Sequence, residues 1–263
     1  MINAMQMAVI KKDLRSITSN KRLFPVLIIV PLVLTIILPF MFILVLHFAP
    51  EEMSDLQMML DLLPLSQHSD TLSRTLIALI LNSVMPIFFT IIPIMAASVM
   101  SASSFVGEKE KRTLETLLYS PLSLKQLFQS KVLASFILSM IVSFTSFFAM
   151  LIVVEIEILL TTGSMMLPGI SWLVTMLVVS PAISLLSITL IVSGSAKAQT
   201  MEESQQRAVF LILPLLLLII GQFTGVLLVN AWLLLGVGVI IAVFAAFLMK
   251  GSMRKFTYER LLK

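Results

Sequence analysis

LFPVLIIVPLVLTIILPFMFILVL (residues 23–46) contains no charged side chain and a single hydroxyl, that of Thr35. As a helix rising 1.5 Å per residue it reaches about 36 Å, enough to cross a hydrocarbon core of about 30 Å. Five further stretches read the same way, at residues 76–100, 127–154, 170–194, 208–229 and 231–249. Asn230 alone separates the last two, so they form either a tight helical hairpin or a pair of half-inserted helices. The whole chain agrees with these windows. Of its 263 residues 59% are hydrophobic and 12% charged, and the mean hydropathy is +1.07. A soluble domain carries about 25% charged residues, so this chain lacks the polar surface to cover a water-exposed fold. The first apolar run is too long and proline-rich for the apolar core of a signal peptide and reads as a retained span.

Charge placement sets the expected topology. The N-terminal segment, the loop after the second span with the start of the third, the loop after the fourth and the C-terminal segment together hold 17 of the 18 Lys and Arg residues. The remaining loops hold Arg74 with Glu51, Glu52, Asp55, Asp61, Asp70, Glu155 and Glu157. The basic side is the cytoplasmic one, which places both termini inside. Because the basic residues are dispersed between apolar spans, the net charge of +4 follows membrane topology, and no nucleic-acid partner is expected. The chain has no cysteine and only two histidines, His47 and His68, which excludes disulfides and thiolate metal sites and disfavours a histidine-rich one.

The expected architecture is an all-α membrane protein. Residues 1–22 form an amphipathic helix lying in the membrane interface, with Ile2, Val9, Ile10, Leu14 and Ile17 on one face and Lys11, Lys12 and Arg15 on another. Residues 23–263 form one six-span domain. It has a short acidic external loop at 47–75, a cytoplasmic loop at 101–126 and a second one at 195–207.

The loop at 101–126 carries the most information. It reads SSFVGEKEKRTLETLLYSPLS from Ser103 to Ser123. Leu114, Leu117 and Leu118 recur at helical spacing and share a face. Glu108, Arg112 and Glu115 fall on the other side, where Glu108–Arg112 and Arg112–Glu115 pairs are in register. Pro121 ends the helix, lacking an amide donor and restricting Ser120. The pattern predicts a short helix outside the bilayer with a leucine ridge and a charged face.

Glu108-x-Glu110-x-Arg112-Thr113-Leu114-Glu115-x-Leu117-Leu118, followed by Pro121 and Ser123, resembles the signature of type 2 ABC exporter permeases. That family commonly has glycine at the place of Arg112. The order of elements is similar over nearly the whole chain, and the branch it looks most like is that of sodium-efflux-like and drug- or peptide-exporting permeases. The resemblance implies a non-catalytic membrane subunit that exports an amphiphilic substrate: a peptide, a lipid-like molecule or a drug. Residues 104–118 would be a coupling helix seated on a cytoplasmic ATPase, with Gly107, Glu108, Glu110, Arg112, Thr113, Leu114, Glu115, Leu117, Leu118 and Pro121 as its coupling residues. The implied complex has two ATPase copies and a second permease, identical or related, in a bacterial cytoplasmic membrane. ATP and Mg would bind the ATPase, and no cofactor is expected in this chain. No G-x-x-x-x-G-K-[ST] motif occurs in the sequence, which likewise assigns nucleotide chemistry to another polypeptide.

Two other patterns compete for function. Glu202, Glu203 and Arg207 match the E-E-x-x-x-R motif of intramembrane prenyl proteases, but no histidine follows His68 to complete an acid–base or metal site. A second cytoplasmic contact, a short helix against the ATPase or the first coupling element, is the expected role. Ser135, Ser139, Ser143 and Ser146 line one face of the third span, and Ser180, Ser184 and Ser187 one face of the fourth. Such stripes either pack helices closely or, at Ser139, Ser143, Ser184 and Ser187, form a mildly polar translocation seam. Alternatives to amphiphile export are sodium or other ion efflux, a membrane-embedded enzyme, and a sensory or immunity protein without net transport.

Overall fold

In lipid every backbone amide must be satisfied within its own segment, so long apolar runs can only be helices. A computed structural model describes residues 3–21, 23–48, 77–113, 121–163, 165–195, 198–206, 208–223 and 230–255. Among the described residues there is no strand, and six helices are long and apolar enough to cross a membrane. They are α2 (Leu23–Phe48), α3 (Ile77–Glu110), α4 (Leu124–Thr162), α5 (Ile170–Ser195), the run Met201–Gln222, which the short helix α6 (Met201–Gln206) begins and α7 (Val209–Phe223) continues, and α8 (Ala231–Lys255). One further helix, α1 (Ala4–Thr18), precedes the first span. The chain is a multi-pass membrane protein.

Two helices exceed the predicted spans. α3 continues to Glu110 instead of stopping at residue 100, and α4 runs from Leu124 to Thr162 instead of 127–154. With 34 and 39 residues they measure about 50 and 58 Å, well beyond the hydrocarbon core. Their excess length carries the polar end of α3 and the polar start of α4 past the apolar layer together.

α3, α4 and α5 form the centre of the bundle. α2 packs on α4, α8 on α5, α1 on the start of α4, and α6 on the end of α3. In their apolar windows α3 and α5 bury 72% of residues, against 17% for α8, so α8 is peripheral. Its exposed side chains, such as Trp232, Ile240 and Phe247, present an apolar face suited to lipid or a second subunit.

Both central helices carry a π turn, at Ile80–Val84 in α3 and Thr175–Val179 in α5. Such turns disturb the regular hydrogen-bond ladder. In α3 the carbonyl of Leu81 accepts from the Trp172 indole at 2.8 Å, and Asn82 accepts from the Gly169 amide at 2.6 Å. Trp172 stacks edge-on against Phe89, which also meets Phe147. The start of α3 is thereby tied to the turn between α4 and α5.

Candidate functional site

The C-terminal end of α3 and the N-terminal end of α4 converge with α1 and α6. α1 begins with a capping box, in which Asn3 accepts from Ala4 and Gln6 reaches back to the Asn3 amide at 3.0 Å. Its buried face is Gln6, Val9, Ile10, Asp13 and Ile17, spaced three or four residues apart. α4 begins with a second capping box, Ser123 with Gln126. Val9 packs with Leu122 and Leu127, and Gln6 donates to the Gln126 carbonyl, which seats α1 on the first turns of α4.

Asp13 lies on this buried face and enters a charged network. The Ser104 hydroxyl of α3 donates to Asp13 at 2.6 Å. The Lys131 ammonium of α4 reaches the Asp13 carboxylate at 3.5 Å and the Glu108 carboxylate at 2.9 Å, and donates to the Ser104 carbonyl. It also stands 5.6 Å from the Phe105 ring centroid. Lys12 closes the network on Glu108 at 2.5 Å. The Lys131 side chain is only 2% exposed and those of Asp13 and Glu108 at most 10%, whereas that of Lys12 is 52% exposed. Two cations and two carboxylates balance in charge. The inner three behave as a buried network, in which removing one partner is costly, and the Lys12 contact as a screened surface pair.

α3 ends immediately beyond Glu108. The Arg112 amide donates to Lys109, and the Thr113 amide to Glu108 at 2.9 Å, with Arg112 at φ +57°. This is the Schellman arrangement, whose left-handed residue is usually glycine. It gives a physical reason for glycine at this place in the family. It also corrects the expected continuous helix over 104–118: residues 104–110 are the tail of the second span, and the helix stops there. Glu108 pairs with Lys12 and Lys131, not with Arg112. Leu114, Glu115, Leu117 and Leu118 lie outside the described residues. Pro121 is exposed, just before the cap of α4.

α6 docks on the same tail. A Cβ at Gly107 would stand 3.2 Å from the Met201 sulfur, so glycine lets α6 approach. Glu110 accepts from the Met201 amide at 3.4 Å. Glu202 and Glu203 are exposed, and Glu203 accepts from the Gln199 amide within its own loop at 2.8 Å. These carboxylates do not face each other across a catalytic pocket. Among the described residues no three His, Asp or Glu side chains come together as a metal site. Arg207 lies outside the described residues.

The serine stripes meet in the centre of the bundle. Ser139 and Ser184 bond hydroxyl to hydroxyl at 2.9 Å, Ser139 donates to the Pro93 carbonyl, and Ser187 to that of Ile94. Ser135, Ser143 and Ser180 are equally buried, and their hydroxyls have no hydrogen-bond partner among the described residues. Small side chains at these positions allow the close packing of α3, α4 and α5.

Asp13, Ser104 and Lys131 were not among the residues singled out from sequence. Two signals point to them. Asp13 sits on the apolar stripe of α1, four residues from Val9 and Ile17, and Lys131 is a lone cation at the start of an apolar run, the kind of position that marks a functional group by default.

The family model described as ABC-2 family transporter protein matches residues 7–236, so the chain belongs to the ABC-2 transporter family, as a permease subunit of an ABC transporter. No curated protein and no solved structure matches it.

Proposed function

We propose that this chain is the membrane half of an ATP-driven exporter, moving an amphiphilic substrate outward under the control of a separate ATPase. Both termini face the cytoplasm, the complex holds two permeases and two ATPases, and the part of the 104–118 segment beyond the buried Glu108, with Glu202, Glu203 and Arg207, forms the contact with the ATPase. The observation that carries the reading is the joint at the inner end of the bundle. Glu108 lies one turn before the end of α3 and is tied to α1 through Lys12 and to α4 through Lys131. Gly107 and Glu110 hold α6. A force applied to the loop beyond Arg112 therefore reaches four helices at once, as a rigid-body input requires.

Coexpression with candidate ABC ATPases from the same genome, followed by affinity purification, tests the reading. The wild-type chain should retain the ATPase and support ATP-dependent transport in proteoliposomes. Leu114→Asp and Glu115→Lys should abolish transport while the permease still inserts. Undiminished coupling in both variants would overturn the assignment of this loop.

A further inference from the structure

The outer half of the bundle contains a buried carboxylate that the coupling joint does not use. Glu157, near the outer end of α4, is 7% exposed, and neither of its carboxylate oxygens has a hydrogen-bond partner among the described residues. Glu155 is different: its Oε2 accepts from the Met166 amide at 3.4 Å. Residues two apart on a helix do not share a face, so the two carboxylates are not one acidic pair.

Deeper in the membrane, α2, α3 and α4 enclose a pocket of about 230 Å³. Leu34, Leu38, Phe88, Phe89, Ile92 and Met150 line it, and its one hydroxyl, that of Thr35, is committed to the Pro31 carbonyl. Met150 and Glu157 are seven residues apart, nearly two full turns, so they lie on the same face of α4 about 10 Å apart along its axis. Val154, on that same side, is also buried. The pocket's lining stops at Met150, so a ligand that reaches Glu157 from it must run about 10 Å along this face of α4, past the buried Val154.

We propose that this face is a binding site for a cationic amphiphile, whose hydrophobic body occupies the pocket and whose cationic head pairs with Glu157. The inference rests on the exporter reading and names its substrate class. A carboxylate removed from water without a partner is unfavourable, and an organic cation supplies the missing charge where a neutral or anionic head cannot. A metal ion is the poorer match, since among the described residues no cluster of three ligating side chains forms here. The pocket is smaller than those that take drug-sized molecules, about 300–1,000 Å³, which points to one alkyl chain or a compact ring system.

The test uses the full chain in phosphatidylcholine nanodiscs and three probes with the same tail: dodecyltrimethylammonium, dodecyl maltoside and dodecyl sulfate. The ammonium probe should bind saturably and about tenfold more tightly than the other two, the size of effect one charge-assisted contact provides. Glu157→Gln should reduce the ammonium probe to the affinity of the maltoside. Met150→Trp, which fills the pocket, should weaken both, and Glu155→Gln should leave the preference intact. Equal affinity for the three heads in the wild-type chain overturns the proposal without recourse to any variant. So does a preference that survives Glu157→Gln. If the ATPase couples but the heads bind alike, only this inference falls. If Glu157 confers cation preference while no ATPase couples, the site stands and the exporter reading falls.

Discussion

α4 carries a buried ionisable side chain near each end, and the protein treats the two in opposite ways. Lys131 at the inner end meets Asp13, Glu108 and the Ser104 carbonyl. Glu157 at the outer end meets no partner among the described residues. The two are separated by about 39 Å of helix, more than the hydrocarbon thickness, so they stand near opposite interfaces. The inner charge is matched from two other helices, which makes it a joint. The outer one is held ready by the fold and satisfied by none of its described neighbours, which makes it a binding group.

The largest expected effect is at the joint. Lys131→Met leaves the buried Asp13 without its cation and Glu108 with only the half-exposed Lys12. Loss of one partner from a buried ionic network costs about 3–5 kcal/mol, so the variant should melt well below the wild type in the same detergent. Lys131→Met with Asp13→Asn and Glu108→Gln should recover much of that loss. A Lys131→Met chain as stable as the wild type would break the contrast, because the inner charge would then be as dispensable as the outer.

Glu157→Leu should act in the opposite direction. It removes a carboxylate whose burial no described hydrogen bond offsets, so stability should hold or rise by about 1–3 kcal/mol in the same melting experiment. A destabilisation comparable to that of Lys131→Met would show that Glu157 is a structural group after all.

The six spans were legible because lipid demands uncharged runs of sufficient length, and hydropathy reads that demand directly. The ends of α3 and α4 were not, because a helix continues past the lipid boundary wherever packing supports it. Ser104, Glu108 and Lys131 look like loop or interface residues in the sequence, but they are buried where α1 covers them. Asp13 and Lys131 are separated by 118 positions, and no local pattern can report such a contact. The serine stripes were legible as stripes, and their partners Pro93 and Ile94 were not, since acceptor carbonyls leave no mark on side-chain spacing. Of the loop that suggested an ABC permease, the sequence showed the charged stretch but not the helix stop within it, because Arg112 is not a residue that announces a left-handed turn.

The smallest effect comes from that turn and extends the comparison to the helix caps. α3 ends on Arg112 at φ +57°, and α4, at the opposite end of the bundle, on Gly163 at φ +70°. A side chain in this conformation costs roughly 1–2 kcal/mol, which glycine avoids. Arg112→Gly should therefore stabilise the chain by about 1 kcal/mol, and Gly163→Ala should destabilise it by a similar amount. No other group lies within 4 Å of the Cβ position at Gly163, so its whole penalty comes from the backbone. If Arg112→Gly gains stability and loses transport, the arginine is kept for its charge at the ATPase-facing loop. If it gains stability and transport is unchanged, the turn alone matters, and the residue in it is interchangeable with the glycine common in the family.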